Sequence, residues 1–94
     1  MSDPAVFAPE GALTMQSAPA LLAEGQRRAR AGDLVVDLAA VSAADSAALA
    51  LILDWMRCAR AAGHALMLRN PPAGLTSLAA LYDIDGLLPL ERAA

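Results

Sequence analysis

The 94-residue chain has no lysine, one cysteine, one histidine and only 3% aromatic residues. A single cysteine, Cys58, excludes an internal disulfide and a metal cluster built on cysteines. A lone histidine, His64, with no second histidine or cysteine pair is a poor metal ligand. The seven basic residues are all arginines and form no dense stripe. Nucleic-acid binding requires a concentrated positive surface, so this pattern argues against that function.

Long apolar runs are also missing. The longest stretches without a charged residue, 11–23 and 70–82, both contain proline and glycine. Neither reaches the roughly 18 apolar residues that a membrane-spanning helix needs. The first four residues have neither the basic nor the apolar region of a signal peptide. We therefore expect a cytoplasmic protein.

What the chain does have is an excess of small and aliphatic side chains. Apolar residues make up 57% of the sequence, whereas domains of this class average about 45–50%. With so few aromatics, the core must consist of leucine, valine, isoleucine and alanine. The excess predicts that some apolar surface is left over for a partner.

Strand and helix signals alternate along the chain. They predict strands at 11–15, 34–38 and 65–69, helices at 17–31, 45–62 and 75–82, and loops at 39–44 and 70–74. Ser17 is the expected cap of the first helix, and Gly32 and Gly63 are suited to end the first and second helices. An apolar segment at 87–90 is expected to dock on the body of the protein.

This alternation indicates an α/β fold with a small, mostly parallel sheet and helices packed largely on one face. The other face would be covered by the N-terminal strand or by a partner. We expect an N-terminal segment at 1–10 that is compatible with a short edge strand at Val6 and Phe7. One domain at 11–90 and a C-terminal tail at 91–94 follow.

The second predicted helix is apolar around much of its circumference, which is typical of a helix that is either deeply buried or half covered by a partner. Deep burial on all sides is hard to arrange in a domain of 94 residues. Helical spacing assigns one face to the core: Leu49, Ile52, Leu53, Met56 and Ala59. The opposite face carries small and charged residues: Ser46, Ala47, Ala50, Asp54 and Arg57. Leu51 and Trp55 flank the core stripe.

The start of this helix offers two interpretations of Ser46. Asp45 or Ser46 can cap the helix, because serine and aspartate are common cap residues. A serine hydroxyl at an exposed helix N-terminus can also be phosphorylated, which adds nearly two negative charges beside the positive end of the helix dipole. Residue chemistry alone favours the cap.

The order of these segments resembles the STAS domain family, which includes the anti-sigma-factor antagonists. The resemblance runs from residue 11 to the end of the apolar segment and rests on these pieces: Leu34-Val-Val-Asp-Leu38, Val41-Ser42, Asp45-Ser46-Ala-Ala-Leu49, Gly63-His64, Arg69-Asn70, Leu78-Ala79-x-Leu81-Tyr82 and Leu87-Leu88-Pro89. The resemblance implies a small sheet with helices on one side. Ser46 then occupies the position of the family's phosphorylatable serine or threonine.

The ending Leu-Ala-x-Leu-Tyr followed by Leu-Leu-Pro is similar to one branch, the small STAS subunit of Mla-type phospholipid-transport ABC systems. That similarity implies a non-catalytic subunit that binds the cytoplasmic ATPase, and through it an inner-membrane permease, in the maintenance of outer-membrane lipid asymmetry. The partner-binding residues would be Asp45, Ser46, Ala47, Ala50 and Asp54.

The alternative is an anti-sigma-factor antagonist that a serine kinase switches by phosphorylating Ser46. Those antagonists usually have a second hydroxyl residue and a glycine where this chain has Ala47 and Ala48. These differences argue against a kinase-regulated cycle and leave a constitutive binding role intact.

No catalytic constellation accompanies these features, so we expect no enzymatic activity and no cofactor. Asp37 and Asp45 follow or precede loops, yet neither has a catalytic partner or a phosphate-binding glycine loop nearby. Cys58 is expected to be a buried, inert thiol. Trp55 and Tyr82 are either packing residues or interface anchors.

Overall fold

A computed structural model describes residues 4–91 and contains three helices and five strands in that range. The strands are β1 (Ala5–Phe7), β2 (Gly11–Leu13), β3 (Leu34–Asp37), β4 (Val41–Ala44) and β5 (Leu66–Arg69). The helices are α1 (Ala18–Ala31), α2 (Ser46–Ala61) and α3 (Ala73–Leu81), followed by a 3₁₀ turn at Asp85–Leu87. Within this range no helix has both the length and the apolar character to cross a membrane. The ends of the predicted terminal segments, 1–3 and 92–94, lie outside the described residues.

A three-stranded parallel sheet forms the centre of the fold, in the order β1-β3-β5. Side chains alternate between the two faces of a strand. Phe7, Val36 and Leu68 are in register and buried, and the Phe7 ring packs against Trp55 of α2 with centroids 5.7 Å apart. On the other face Val6 and Met67 flank Val35 and stay 47% and 37% exposed. The helices therefore cover mainly one face, as predicted.

The N-terminal strand lies at the edge of this sheet instead of covering its open face. β1 pairs with β3 through the register Val6 to Val35. The prediction that the N-terminal strand covers the open face is therefore wrong. On that face Val6 and Met67 remain partly exposed on either side of the buried Val35.

The loop predicted at 39–44 is wrong in part, because residues 41–44 form strand β4. This strand pairs in parallel with β2 as a separate two-stranded sheet, with a register shift between Gly11 and Ala12. Only Val41 of β4 is buried. The segment therefore carries neither the alternation nor the β-branched content that marks a strand in sequence.

The cap and the end residue predicted for α1 are both wrong, whereas the end residue predicted for α2 is confirmed. Ser17 makes no capping bond to α1. Its hydroxyl instead donates to the Ala12 carbonyl at 2.7 Å and accepts from the Thr14 N–H at 3.0 Å, bracing the turn after β2. Gly32 has an extended backbone and is not a left-handed end residue. Gly63 has φ of +79° after α2, which glycine adopts without strain.

The core face of α2 is rotated relative to the prediction. Leu53 and Met56, expected in the core, are only partly buried, whereas Leu51, Trp55 and Cys58 are buried. The reason is that α1 packs along α2 on the side of Trp55. A helix that is apolar all round has no unique core stripe, so tertiary packing selects one.

The C-terminal segment docks on the free edge of β5, which confirms the prediction for 87–90. Leu90 forms a parallel bridge with Leu68, and the Leu68 N–H donates to the Pro89 carbonyl at 2.8 Å. Arg69 donates two hydrogen bonds to the Glu91 carboxylate, at 2.8 and 2.9 Å. The segment thereby protects one edge of the parallel sheet.

Candidate functional site

The turn from β4 into α2 fixes the position of Ser46. The Asp45 carboxylate accepts a hydrogen bond from the Ala47 N–H at 2.8 Å, and the Asp45 N–H donates to the Leu13 carbonyl of β2. Asp45 is therefore the cap, and Ser46 is the first residue of the helix. The structure thus decides between the two capping candidates in favour of Asp45.

Ser46 is exposed at this helix start. Among residues 4–91 its hydroxyl makes no side-chain hydrogen bond. The positive end of the α2 dipole lies beside it, and a negatively charged group is stabilised there. The Ser46 hydroxyl is consequently accessible from solvent.

Three of the five predicted partner-binding residues line one groove between α1 and α2. The groove has a volume of about 320 Å³, and its wall is mainly apolar. Its lining residues are Ala18 and Leu22 of α1 with Ala47, Ala50, Leu51 and Asp54 of α2. We call this surface the α1–α2 groove. The other two predicted residues, Asp45 and Ser46, come just before Ala47 in the sequence but do not line this groove.

Asp54 lines the α1–α2 groove and is already paired within the chain. Its carboxylate accepts one hydrogen bond from Arg57 and one from Gln26 of α1, both at 2.6 Å. The Arg57 hydrogen bond, and after it the Gln26 bond, hold the pKa of Asp54 below its usual range. Asp54 therefore ties α1 to α2 as well as offering a charge at the groove.

The contributions of α1 to the groove were not predicted from sequence. Leu22 lies beside α2 because Trp55 packs against α1. The Trp55 indole N–H donates a hydrogen bond to the Leu22 carbonyl at 3.1 Å. The ring packs directly on Gly25, where any side chain would overlap it. The signal in the sequence was Gly25 itself, since a glycine inside a helical pattern often marks close packing.

Trp55 is fully buried and acts as a packing residue, so the alternative of an interface anchor is wrong for it. Tyr82, by contrast, is 55% exposed at the end of α3. Cys58 is buried as expected. Within the described part of the chain, no group of three or more potential metal ligands is found.

Asp37 and Asp45 are engaged in different turns. Asp37 accepts hydrogen bonds from the Ala39 N–H at 3.0 Å and from the Asn70 amide at 3.2 Å. The backbone bond from Ala39, and then the bond from Asn70, hold the pKa of Asp37 below its usual range. A carboxylate stabilised in its charged form is a poor general acid, and both groups serve as turn acceptors.

Comparison with known proteins gives one family and one fold. A structure titled "Structure of the Anti-Sigma Factor Antagonist SpoIIAA in its Unphosphorylated Form" is similar with a TM-score of 0.75 and 17% identity, over 100% of this chain and 84% of that one. This likeness shows a shared fold. No curated protein gives a significant match. A family model described as "Mlab, STAS domain" matches residues 3–89. Because that match covers most of the sequence, the chain belongs to the STAS domain family of this description.

Proposed function

We propose that this protein is a non-catalytic accessory subunit that binds the cytoplasmic ATPase of a phospholipid-transport ABC complex. The observation that carries the proposal is the match of almost the whole chain to a family model named for the Mlab type of STAS domain. The ending from Leu78 to Pro89, which lies within that match, is the part that resembles the same branch. As such a subunit the protein would act at the inner membrane through its partner.

The docking surface in this proposal is the start of α2 together with the α1–α2 groove. Its proposed contact residues are Asp45, Ser46, Ala47, Ala50 and Asp54. Small side chains at Ala47 and Ala50 allow a partner helix or loop to approach closely, and the apolar groove wall supplies area to bury. The ATPase must bind this subunit more tightly in its assembled state for the subunit to favour that state.

The first test is affinity purification of the tagged protein from lysate of its own cells, with mass-spectrometric identification of what is retained. Recovery of an ABC ATPase with its permease supports the proposal. Recovery of a serine kinase or an anti-sigma factor in their place contradicts it.

The second test measures the affinity of the purified ATPase for variants of the docking surface. Ala50→Arg places a long charged chain in the groove, and Ser46→Glu adds charge at the helix start. Each should weaken binding about tenfold or more, equivalent to ~1.4 kcal/mol. Ala61→Arg, an exposed change at the other end of α2, is the matched control and should bind like the unaltered protein. Equal affinity of Ala50→Arg and Ala61→Arg would remove the groove from the interface.

The alternative function is an anti-sigma-factor antagonist regulated by phosphorylation of Ser46. It is favoured by the exposed hydroxyl at the first residue of α2. It is disfavoured by Ala48, which is fully buried where the antagonists have glycine. Incubation with the cognate kinase and ATP should add the mass of one phosphate to the protein and none to Ser46→Ala. No mass increase with an active kinase would reject this alternative.

A further inference from the structure

A second groove runs along the other half of α2, on a different face from the α1–α2 groove. It consists of two adjoining cavities of about 280 and 260 Å³ that share Met56 and Arg60. The α2 residues in its wall are Leu53, Met56, Arg57, Ala59 and Arg60, and the facing wall is made by His64, Leu66, Leu87 and Pro89. We call this surface the Arg60 groove.

The two grooves are separated by helix geometry. The α2 residues that line the α1–α2 groove are Ala47, Ala50, Leu51 and Asp54. One cavity of the Arg60 groove is lined by a set with the same spacing that begins six residues later: Leu53, Met56, Arg57 and Arg60. At 3.6 residues per turn this places the two sets about 120° apart around the helix axis. One groove faces α1 and the other faces the C-terminal segment, so a partner can occupy each without displacing the other.

Leu53 and Met56, which were predicted to lie in the core, line the Arg60 groove. Both are only partly buried, and they form its apolar floor together with Leu87, which is 61% exposed. Burying such a set of side chains against another molecule is favourable because each square ångström of apolar area removed from water contributes about 25 cal/mol.

The rim of this groove is positive in a chain whose net charge is −3. Arg57 and Arg60 line it, and His64 stands at its far end. Arg57 is paired with Asp54, and His64 Nδ1 lies 3.9 Å from Asp33. Arg60 makes no ion pair with another group in residues 4–91. No carboxylate lines either cavity in this part of the chain.

From this combination of an apolar floor and an arginine rim, we propose that the Arg60 groove binds an acidic amphipathic segment of a protein partner. Two apolar side chains of that segment occupy the cavities on either side of the Met56–Arg60 ridge, and its carboxylates pair with the rim. Leu53 to Arg60 spans about 10 Å, or two turns of α2, which suits a short helix laid along a groove. The groove is open to solvent, unlike small-molecule pockets, which bury about 70–90% of their ligand.

The experiment is selection from a random library of displayed 12-residue peptides, with the full chain as bait. Peptides enriched by the unaltered protein should combine glutamate or aspartate with leucine or phenylalanine. Arg60→Glu should lower the affinity of the enriched peptides about tenfold, and Leu87→Ser, an exposed change that leaves folding intact, should also weaken it. Arg27→Glu makes the same charge change on an exposed arginine of α1 and should bind normally.

Ala50→Arg separates this proposal from the proposed function, since it alters only the α1–α2 groove and should leave peptide binding unchanged. Enriched peptides without acidic residues, or acidic peptides that bind Arg60→Glu as tightly as the unaltered protein, would overturn the proposal. So would failure to enrich any peptide. Co-sedimentation with vesicles of anionic phospholipid that is lost in Arg60→Glu, without peptide binding, would assign the groove to a membrane surface instead.

Discussion

At the scale of single residues, the contact between Gly25 and Trp55 sets how closely α1 approaches α2. The indole ring occupies the space that a Cβ on Gly25 would need, and its N–H bonds to the backbone one turn earlier, at Leu22. The ring also meets Phe7 of β1 edge-on. One aromatic residue thus joins the sheet and two helices, and the α1–α2 groove depends on its position.

Replacing Gly25 by alanine should therefore destabilise the protein, although alanine is normally the better helix former. Overlap with the ring forces α1 or the indole to move, and overpacking of this kind costs about 1–3 kcal/mol. Urea unfolding followed by Trp55 fluorescence measures the change. Gly74→Ala in α3 is the control, since a Cβ there meets nothing within 4 Å. It should leave the free energy of unfolding unchanged or raise it by up to about 1 kcal/mol. An equal effect of both substitutions would contradict the close packing.

The candidate-site residues that lie on a single helix could be predicted from the sequence. Ala47, Ala50 and Asp54 were predicted to share a face of one helix, and they do line one groove. Helical periodicity is sufficient for such a set, because it depends on one element only. The hydrogen bond from Gln26 of α1 to Asp54 depends on how the two helices pack, and no pattern within either helix predicts it. Gly25 indicates a close approach to α1 but does not identify Trp55 as the neighbour.

At the scale of elements, a helix or strand could be predicted where its own sequence pattern was strong. Strand β3 was predicted because its run of apolar residues is buried on both faces. Strand β4 was missed because only Val41 in it needs to be buried. Helix α3 begins at Ala73 instead of residue 75, since Pro72 has an extended backbone from which a helix can start at once.

The C-terminal segment offers a sharp test at this scale, because Leu87 and Leu88 are neighbours with opposite environments. Leu88 is 8% exposed and belongs to the core, whereas Leu87 is 61% exposed. Leu88→Ala should lower the free energy of unfolding by about 2 kcal/mol or more, the range for a buried leucine. Leu87→Ala should change it by less than about 0.5 kcal/mol. Chemical denaturation of the two variants gives both values, and similar losses would show that the segment is not docked as described.

The whole molecule is organised around β3 and α2. β3 is the central strand of the sheet, and α2 is packed against α1 on one side and α3 on another. Each proposed docking surface includes one face of α2, beside α1 in the first groove and beside the C-terminal segment in the Arg60 groove. A partner bound to either surface would therefore act on the element with the largest share of the core.

Native-state hydrogen exchange should reveal this organisation. The slowest amides are expected in β3 and in the middle of α2, for example at Val36 and Ile52, because their opening requires loss of the core. Amides of β1 at the sheet edge and of the 3₁₀ turn should exchange faster. Exchange read by NMR or by mass spectrometry of fragments measures the pattern. Protection of the 3₁₀ turn equal to that of β3 would contradict it.

Among residues 4–91, three carboxyl groups have a pKa held below its usual range, and stability in acid depends on them. The causes are the Ala39 N–H for Asp37, the Arg57 guanidinium for Asp54 and the Arg69 guanidinium for Glu91. Because each pKa is lower in the folded chain than in the unfolded one, the stability these groups supply is fully present above the unfolded pKa. That value is about 4, and the contribution is lost as the pH falls through the folded pKa.

Unfolding by urea should accordingly show a constant free energy near neutral pH and a decline below about pH 4. Asp54→Asn removes one of the three contributions, so the variant should be less stable than the unaltered protein at neutral pH and approach it as the pH falls. The difference in free energy of unfolding between the Asp54 variant and the unaltered protein should therefore shrink as Asp54 is protonated. If that difference stays constant down to about pH 3, the bonds from Arg57 and Gln26 do not stabilise the charged carboxylate.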